Sequence, residues 1–194
     1  MSPRTKEQLE VIRIERSQEI SEAALRLFAA KGFQNTSIRE IAIEAGISKG
    51  LIYNYYKSKE EILKSLFDNV FETMWRRFHF DANTEISEQD YIDFINLSID
   101  IVLEDPDHFR LWFSVLTQPM VLSMVMDDLM IKAGPIMARM QQYYEKRGFE
   151  NPIAQMRFAS AIIDGIQMHI MLDPENYPVE DVRKILIRHL TTTL

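Results

Sequence analysis

The run of residues 36–64 constrains the fold of this chain more than any other feature. Apolar side chains recur at helical spacing in its first part, at Ile38, Ile41, Ala42 and Ala45. Gly46 follows, and glycine can adopt the left-handed conformation that lets a chain leave a helix sharply. The pattern predicts a short amphipathic helix that ends in a tight turn.

Two further helices are expected after this turn. Ser48 can accept a hydrogen bond from a free backbone N–H of the next helix, which should run to about Tyr55. Ser58 and Glu61 then show the spacing of a capping box, which predicts the start of a third helix. Lys59 would lie in its first turn, where free N–H groups and the helix dipole favour an anion such as phosphate.

The middle helix offers an outer face with a cation, a backbone approach point, a phenol and an amide: Lys49, Gly50, Tyr53 and Asn54. Its inner side would be formed by Leu51 or Ile52 together with Tyr55. Small residues let the start of a helix enter the major groove, and these donors suit base edges and phosphates. A glycine turn alone would also fit a purely structural hairpin, but the order of all three elements favours DNA binding.

The same run closely resembles the DNA-binding domain of TetR-type (tetracycline-repressor-like) transcriptional regulators. The resemblance lies in Arg-Glu-Ile-Ala at 39–42, Ala-Gly-Ile-Ser-Lys-Gly at 45–50, Ile-Tyr-Asn-Tyr-Tyr at 52–56 and Lys-Ser-Lys-Glu-Glu-Ile-Leu at 57–63. Upstream, the family's first helix and exit turn are resembled by Ile20, Ala23, Ala24, Leu25, Leu27 and Phe28, followed by Lys-Gly-Phe. Beyond residue 65 or so the similarity is mostly architectural.

This resemblance implies an all-α fold of about nine helices, with a three-helix helix-turn-helix head and a helical body that binds ligand and dimerises. We expect the DNA-binding domain at 1–58 and the ligand-binding and dimerisation domain at 59–194. The implied function is a sequence-specific transcriptional regulator, a repressor released from its operator by a small, largely apolar ligand. Neither an enzymatic activity nor a cofactor or metal is expected.

Position by position, the resemblance implies a set of DNA contacts. The residues expected near the backbone and groove edge are Ser37, Ile38 and Arg39. Those expected to face bases are Lys49, Gly50 and Leu51, preceded by the capping Ser48. Tyr53 and Asn54 would contact bases or phosphates, and Lys59 a phosphate. The family often has His in place of Tyr55 and Phe in place of Tyr56, so Tyr55 could donate to a phosphate or pack inward.

Charge divides the chain in a similar way. Its 22 basic and 29 acidic residues give a net charge of −7, which by itself argues against a nucleic-acid binder. Residues 1–65 hold 11 basic and 9 acidic side chains, whereas 66–194 hold 11 and 20. DNA would therefore meet the amino-terminal part, and the small positive excess predicts two heads acting together.

The sequence also predicts a compartment. It contains no cysteine, which excludes disulfides, thiol nucleophiles and thiolate metal sites and fits a reducing cytoplasm. The polar residues 2–16 do not resemble a signal peptide, and no apolar stretch is long enough to span a membrane. We expect a cytoplasmic protein without a membrane partner.

Helical periodicity continues through the rest of the sequence, and strand alternation is nearly absent. Helices are expected at 59–80, 87–104, 109–117, from Pro119 to 147, at 152–172 and at 179–190. A polar break at 81–85 separates the first two of these. Gly134-Pro135 is expected to kink the long helix that starts near Pro119.

Methionines cluster between 120 and 140, close in sequence to several aromatic residues. Methionine is flexible and polarizable and suits surfaces that adapt to a guest. The sequence therefore predicts an apolar ligand cavity between the middle helices, lined by some of Met74, Phe78, Phe94, Phe109, Trp112, Phe113, Met120, Met124 and Tyr143. For any single one of them ordinary core packing is the simpler interpretation, whereas the family resemblance favours a cavity in this region.

The helix expected at 152–172 is apolar around much of its circumference, which is unusual for a helix on the surface of a monomer. Asp164-Gly165 resembles the family's dimerisation helix. We expect a two-fold homodimer through a four-helix bundle from the last two helices of each chain, with contacts from Phe158, Ile162, Gly165, Ile166 and Ile185. The two DNA-reading helices would lie about 34 to 36 Å apart on a pseudo-palindromic site in double-stranded DNA.

Two other classes of protein compete with this interpretation. An enzyme would need converging titratable groups, yet the four histidines are dispersed and lack ligand spacing: His79, His108, His169 and His189. A helical adaptor for another protein would explain the apolar helix at 152–172 but not Lys49, Tyr53 and Lys59. Duplex binding that weakens steeply with salt would favour the DNA reader.

Overall fold

The structure is a computed structural model that describes residues 5–78 and 84–192. Over these ranges the chain forms nine α-helices and no strand, which confirms the expected all-α class. The helices are α1 (Lys6–Lys31), α2 (Ile38–Glu44), α3 (Lys49–Ile52), α4 (Lys59–Phe78), α5 (Glu88–Glu104), α6 (Pro106–Leu116), α7 (Pro119–Lys146), α8 (Pro152–Leu172) and α9 (Val179–Thr191).

Most helix ends follow local sequence signals. Three helices begin with a proline, whose missing N–H is not needed in the first turn: Pro106, Pro119 and Pro152. The helix expected from Phe109 therefore starts three residues earlier, at Pro106. The expected continuation of α4 through His79 and Phe80, and most of the polar break at 81–85, lie outside the described residues.

One compact unit comprises the described residues up to Thr73 together with Leu111–Val125. Its core is made by side chains with no exposed surface: Ile20, Ala24, Leu25, Phe28, Ile41, Ile52, Ile62, Leu63, Val115 and Val121. Phe67 and Trp112 pack edge to face with ring centroids 5.0 Å apart. We call this the first unit.

The second unit comprises Met74–Arg110 and the described residues from Met126 onward. In it α5 packs against both α8 and α9. Buried side chains of these three helices form a continuous apolar core: Ile95, Ile99, Val102, Ile163, Ile166, Ile170, Leu186 and Leu190. Tyr91, Tyr143, Tyr144 and Phe149 extend it as an aromatic cluster. The functional division expected between 58 and 59 stays a prediction.

None of the described helices combines the length and the apolar character needed to cross a bilayer.

Candidate nucleic-acid interface and ligand pocket

The helix α2 is fixed at both ends by its own sequence. Ser37 Oγ accepts a hydrogen bond from the Glu40 N–H (3.3 Å), and Glu40 Oε2 accepts one from the Ser37 N–H (2.8 Å). At the other end Gly46 has a φ of +65°, and the Ile47 N–H donates to the Ala42 carbonyl at 2.9 Å. The tight glycine turn expected from the sequence is therefore present.

The helix α3 is shorter than expected. Ser48 caps it, since its hydroxyl accepts from the Leu51 N–H at 3.3 Å, but the helix ends at Ile52 and overlapping turns continue to Tyr56. The buried Tyr56 hydroxyl lies 2.6 Å from Ser17 Oγ of α1, in hydrogen-bonding contact. This anchor draws the chain inward between α1 and α4, so a regular helix does not reach Tyr55.

Two more serine hydroxyls meet Tyr56. Its hydroxyl lies 2.9 Å from Ser21 Oγ and 3.2 Å from Ser65 Oγ. The sequence comparison had noted Tyr56 only as a departure from the family's usual phenylalanine. In the structure that extra oxygen makes a hydrogen-bonded centre joining α1, α4 and the end of α3, so Tyr56 positions the predicted reading helix and does not face solvent.

The outer side of α2 and α3 carries the exposed polar residues expected to meet DNA. Ser37, Arg39, Ser48, Lys49, Gly50 and Asn54 are exposed, and half of the Tyr53 surface is accessible. Ile38 and Leu51 are half-buried, whereas Ile52 is the side chain that points fully inward. Each DNA contact remains a prediction, but the surface it requires is accessible.

The positive charges on this face are not neutralised locally. Among the described residues, neither Arg39 nor Lys49 forms an ion pair. The two carboxylates of α2 are instead engaged by α1: Arg26 Nε donates to Glu44 Oε1 at 3.0 Å, and Lys31 pairs with Glu40. The hydrogen bond from Lys31, reinforced by those from Ser37, lowers the pKa of Glu40 to about 2. An anionic ligand therefore meets cations on this face, with the acids held to one side.

Lys59 has a structural role. Its ammonium donates to the carbonyl oxygens of Phe33 (2.8 Å), Gln34 (3.1 Å) and Thr36 (3.1 Å), and lies 4.5 Å from the centroid of the Phe33 ring. An ammonium has three N–H donors, and all three are engaged within the first unit. We therefore withdraw Lys59 from the expected phosphate contacts: it holds the turn between α1 and α2.

Gln118, which the sequence did not single out, holds the same turn. Its Oε1 accepts from the Phe33 N–H at 2.9 Å, and its Nε2 donates to the Phe28 carbonyl at 2.9 Å. The residue precedes Pro119, which keeps it out of regular helix. That local signal marks a break between helices, but it does not indicate the contact with a turn 85 positions earlier.

Tyr55 lies at the edge of the proposed DNA face. It is half-buried and lines a groove of about 240 Å³ with Arg13 and Ser17 of α1 and Asn69 of α4. Of the two interpretations left open by the sequence, packing is the one its surroundings favour.

The sequence of residues 20–66 matches the family described as bacterial regulatory proteins, tetR family. The chain therefore carries a DNA-binding domain of the tetR family of bacterial regulatory proteins. The helix-turn-helix run described above lies wholly within the matched residues.

Individual relatives agree with this assignment. The HTH-type transcriptional regulator YuxN of Bacillus subtilis is 44% identical over 63 residues, which are 32% of this chain but only 22% of YuxN. The regulator PksA of the same organism is 22% identical over 183 residues, covering 90% of this chain and 88% of PksA. A tetR family regulator from Shewanella sp. PV-4 has the same fold, with a TM-score of 0.72 at 20% identity, covering 90% of this chain and 95% of that one.

The nine residues expected to line a TetR-type ligand cavity are divided between the two units. Met74, Phe78, Phe94, Phe109 and Tyr143 belong to the second unit, and Trp112, Phe113, Met120 and Met124 to the first. Trp112 packs against Phe67, while Phe113 and Met120 are 45% and 42% exposed. Sequence spacing had grouped these residues, and their role in lining a ligand cavity stays a prediction.

A pocket of about 180 Å³ does occur inside the second unit, between α5, α7 and α8. Of the nine expected residues only Phe94 lines it. Most of its other walls are Met137 and Met140 of α7, Met156 of α8, and the tyrosines Tyr91 and Tyr144. The methionine-rich part of α7 was a usable signal, but the residues facing it come from helices that sequence spacing could not bring together.

The face of α8 expected to dimerise is partly exposed. Phe158 is 48% exposed, and Ile185 of α9 is 56% exposed. A Cβ added at Gly165 would meet no atom within 4 Å, so this glycine is not needed for packing within its own chain. Ile162 is half-buried. Ile166 packs in the core of its own unit, so its side chain is not offered to a second chain.

Proposed function

We propose that this protein is a sequence-specific, DNA-binding transcriptional regulator that acts as a homodimer on a pseudo-palindromic operator. We further propose that it is a cytoplasmic repressor, released from DNA by a small, largely apolar ligand. The observation that carries the first proposal is the exposed, unneutralised face of α2 and α3.

Lys49 is the residue on which base recognition depends most. It is the first residue of α3, exposed and without an ion pair among the described side chains. Gly50 beside it has no side chain to hold the backbone away from a groove floor, and Asn54 offers an amide suited to adenine. Arg39 and Tyr53 lie on the same exposed side and would bind phosphates, which fixes position without reading sequence.

Two copies would be needed because the charge excess of one head is small. The exposed apolar residues of α8 and α9, Phe158, Met168, Leu172 and Ile185, support pairing through these helices. The open space at Gly165 would let a second helix approach closely. The pocket between α5, α7 and α8 supports the effector proposal, because it is small and mostly apolar.

The DNA-binding proposal can be tested with an operator selected from random duplexes and labelled for fluorescence anisotropy. Affinity should fall steeply as salt rises, because phosphate contacts release counterions. Lys49→Ala should weaken operator binding by about 1 to 3 kcal/mol and relax the preference for the selected sequence.

Lys184→Ala is the matched control, since that lysine is well exposed on α9 and belongs to the second unit. Binding that does not change with salt, or equal binding by both variants and the parent, would contradict the proposed DNA face. If the protein binds duplex DNA but remains monomeric in sedimentation, the homodimer proposal is contradicted and the DNA-binding proposal is not.

A further inference from the structure

Two buried tyrosine hydroxyls face each other at the pocket of the second unit. Tyr91 of α5 and Tyr144 of α7 are 2% and 1% exposed, and their hydroxyl oxygens form a hydrogen bond with each other. Both residues line the pocket. The neighbouring Tyr143 differs, because its hydroxyl accepts a hydrogen bond from Arg147 at 3.3 Å and does not line the pocket.

The two tyrosines have two hydroxyl hydrogens but only one hydrogen bond between them. Burial raises the pKa of both Tyr91 and Tyr144, so both hydroxyls keep their hydrogen at neutral pH. One hydrogen lies between the two oxygens. No other acceptor among the described residues meets either hydroxyl, so the second hydrogen has no acceptor within this part of the chain. A buried donor is rarely left without an acceptor in proteins, so the second hydrogen is available to an acceptor that enters the pocket.

The other residues that line the pocket determine the size and polarity of the rest of the ligand. Phe94, Met137, Met140 and Met156 make it apolar and adaptable. A dry cavity of about 150 Å³ is known to hold benzene, so the 180 Å³ here suits a six-membered ring with a short substituent. Arg157 lines the pocket from an exposed position and forms no ion pair with any described residue.

We propose that this pocket binds an apolar molecule of single-ring size that carries one oxygen acceptor, a carbonyl or carboxylate oxygen, hydrogen-bonded by the Tyr91–Tyr144 pair. The ring lies among the methionines, and Arg157 adds an attraction if the acceptor is a carboxylate. The inference names the class of effector and rests on the proposed function only for what binding does to the DNA complex.

The test compares three ring-sized probes: acetophenone, benzoate, and ethylbenzene, which has no oxygen. Binding is measured on the free protein by calorimetry, with ¹³C-methyl methionine spectra locating the probe. The decisive variant is Tyr91→Phe/Tyr144→Phe, which removes both partners without changing shape and should therefore fold.

The ratio of the ethylbenzene Kd to the acetophenone Kd should fall by about three- to tenfold in this double variant, the worth of one hydrogen bond. Comparing ratios removes the difference in water solubility between the two probes. Tyr143→Phe is the matched control and should leave the ratio unchanged. An unchanged ratio in the double variant would overturn the proposal. So would the absence of any shift at Met137, Met140 and Met156 in the parent protein, a result that needs no variant.

Arg157→Ala separates the two forms of the acceptor. If the variant binds benzoate more weakly than the parent does, but binds acetophenone equally well, the acceptor is a carboxylate that Arg157 contacts at the pocket rim. If the variant and the parent bind both probes equally well, the acceptor is a carbonyl oxygen that the tyrosines contact.

Release from DNA is measured separately. A probe that binds the pocket but leaves the operator complex intact overturns the proposed release and not the site, and a protein that never binds duplex overturns the proposed function while the probe ratio stands.

Discussion

Both units of this chain have an apolar core, but they differ in what lies beside it. In the first unit, polar side chains distant in sequence converge on one turn, where Lys59 and Gln118 together engage backbone groups of residues 28–36. In the second unit a small pocket lies beside the apolar core of α5, α8 and α9. Polar contacts fix orientation, because a hydrogen bond is directional, whereas apolar packing tolerates a guest. The difference agrees with the roles we propose, DNA binding by the first unit and effector binding by the second.

The largest expected effect tests the apolar character of the second unit. Ile170 has no exposed surface and lies in the core of that unit. Ile170→Ala should lower the free energy of unfolding by about 2 to 5 kcal/mol, because it leaves a cavity. Urea unfolding followed by Trp75 fluorescence in a Trp112→Phe background reports this unit, since Trp75 belongs to it.

Ile131→Ala is the control for that measurement, because Ile131 is 74% exposed and should change stability by less than about 0.5 kcal/mol. Similar losses for the two alanine variants would mean that the second unit does not depend on its core as described.

Next in size is the loss of the Lys59 contacts. Lys59→Met keeps the length of the side chain but removes three hydrogen bonds from a charged donor, so the first unit should lose about 2 to 3 kcal/mol. Trp112 fluorescence in a Trp75→Phe background follows this unit. Lys49→Met, on the exposed face, is the matched control and should unfold with the parent. A stable Lys59→Met variant with weakened DNA binding would restore the phosphate role that we withdrew.

The sequence predicted the first unit well wherever the cause was local. The caps at Ser48 and Ser58 and the turn at Gly46 depend on neighbours within a few residues, and all three are present. Lys59 and Gln118 could not be predicted, because their partners lie 23 or more positions away and depend on how helices pack. The same limit applies to Trp112, which lies near the methionines in sequence but packs against Phe67, a contact that spacing does not indicate.

Gln118→Ala should have a smaller effect than Lys59→Met. It removes two neutral hydrogen bonds to the turn, with Phe33 and Phe28, and we expect a loss of about 1 to 2 kcal/mol in the first unit. Gln155→Ala on α8 serves as the control, read by the same Trp112 signal. If Gln118→Ala left the unfolding midpoint unchanged, the turn would be held by Lys59 alone.

The smallest effect concerns pH. The pKa of Glu40 is about 2 in the folded chain, below its ordinary value of 4.5, because Lys31 and Ser37 stabilise the carboxylate. A lowered pKa contributes stability that is fully present above pH 4.5 and is lost as the pH falls towards 2. The parent should therefore lose more stability than Glu40→Gln across this window, measured as urea midpoints at each pH. Parallel curves for the two proteins would exclude Glu40 as a source of acid sensitivity.

Two sides of the helix α8 have different surroundings. Met156 and Ile163 line the pocket on one side, while Phe158 is exposed on another. If two chains pair through the exposed side, the same helix takes part in both effector binding and dimer formation. The two equilibria are then thermodynamically linked, and such linkage is reciprocal. An effector that tightens association of the two chains would then be retained more strongly by the dimer than by the separated chain, so cellular concentration of the protein would itself tune sensitivity to the effector.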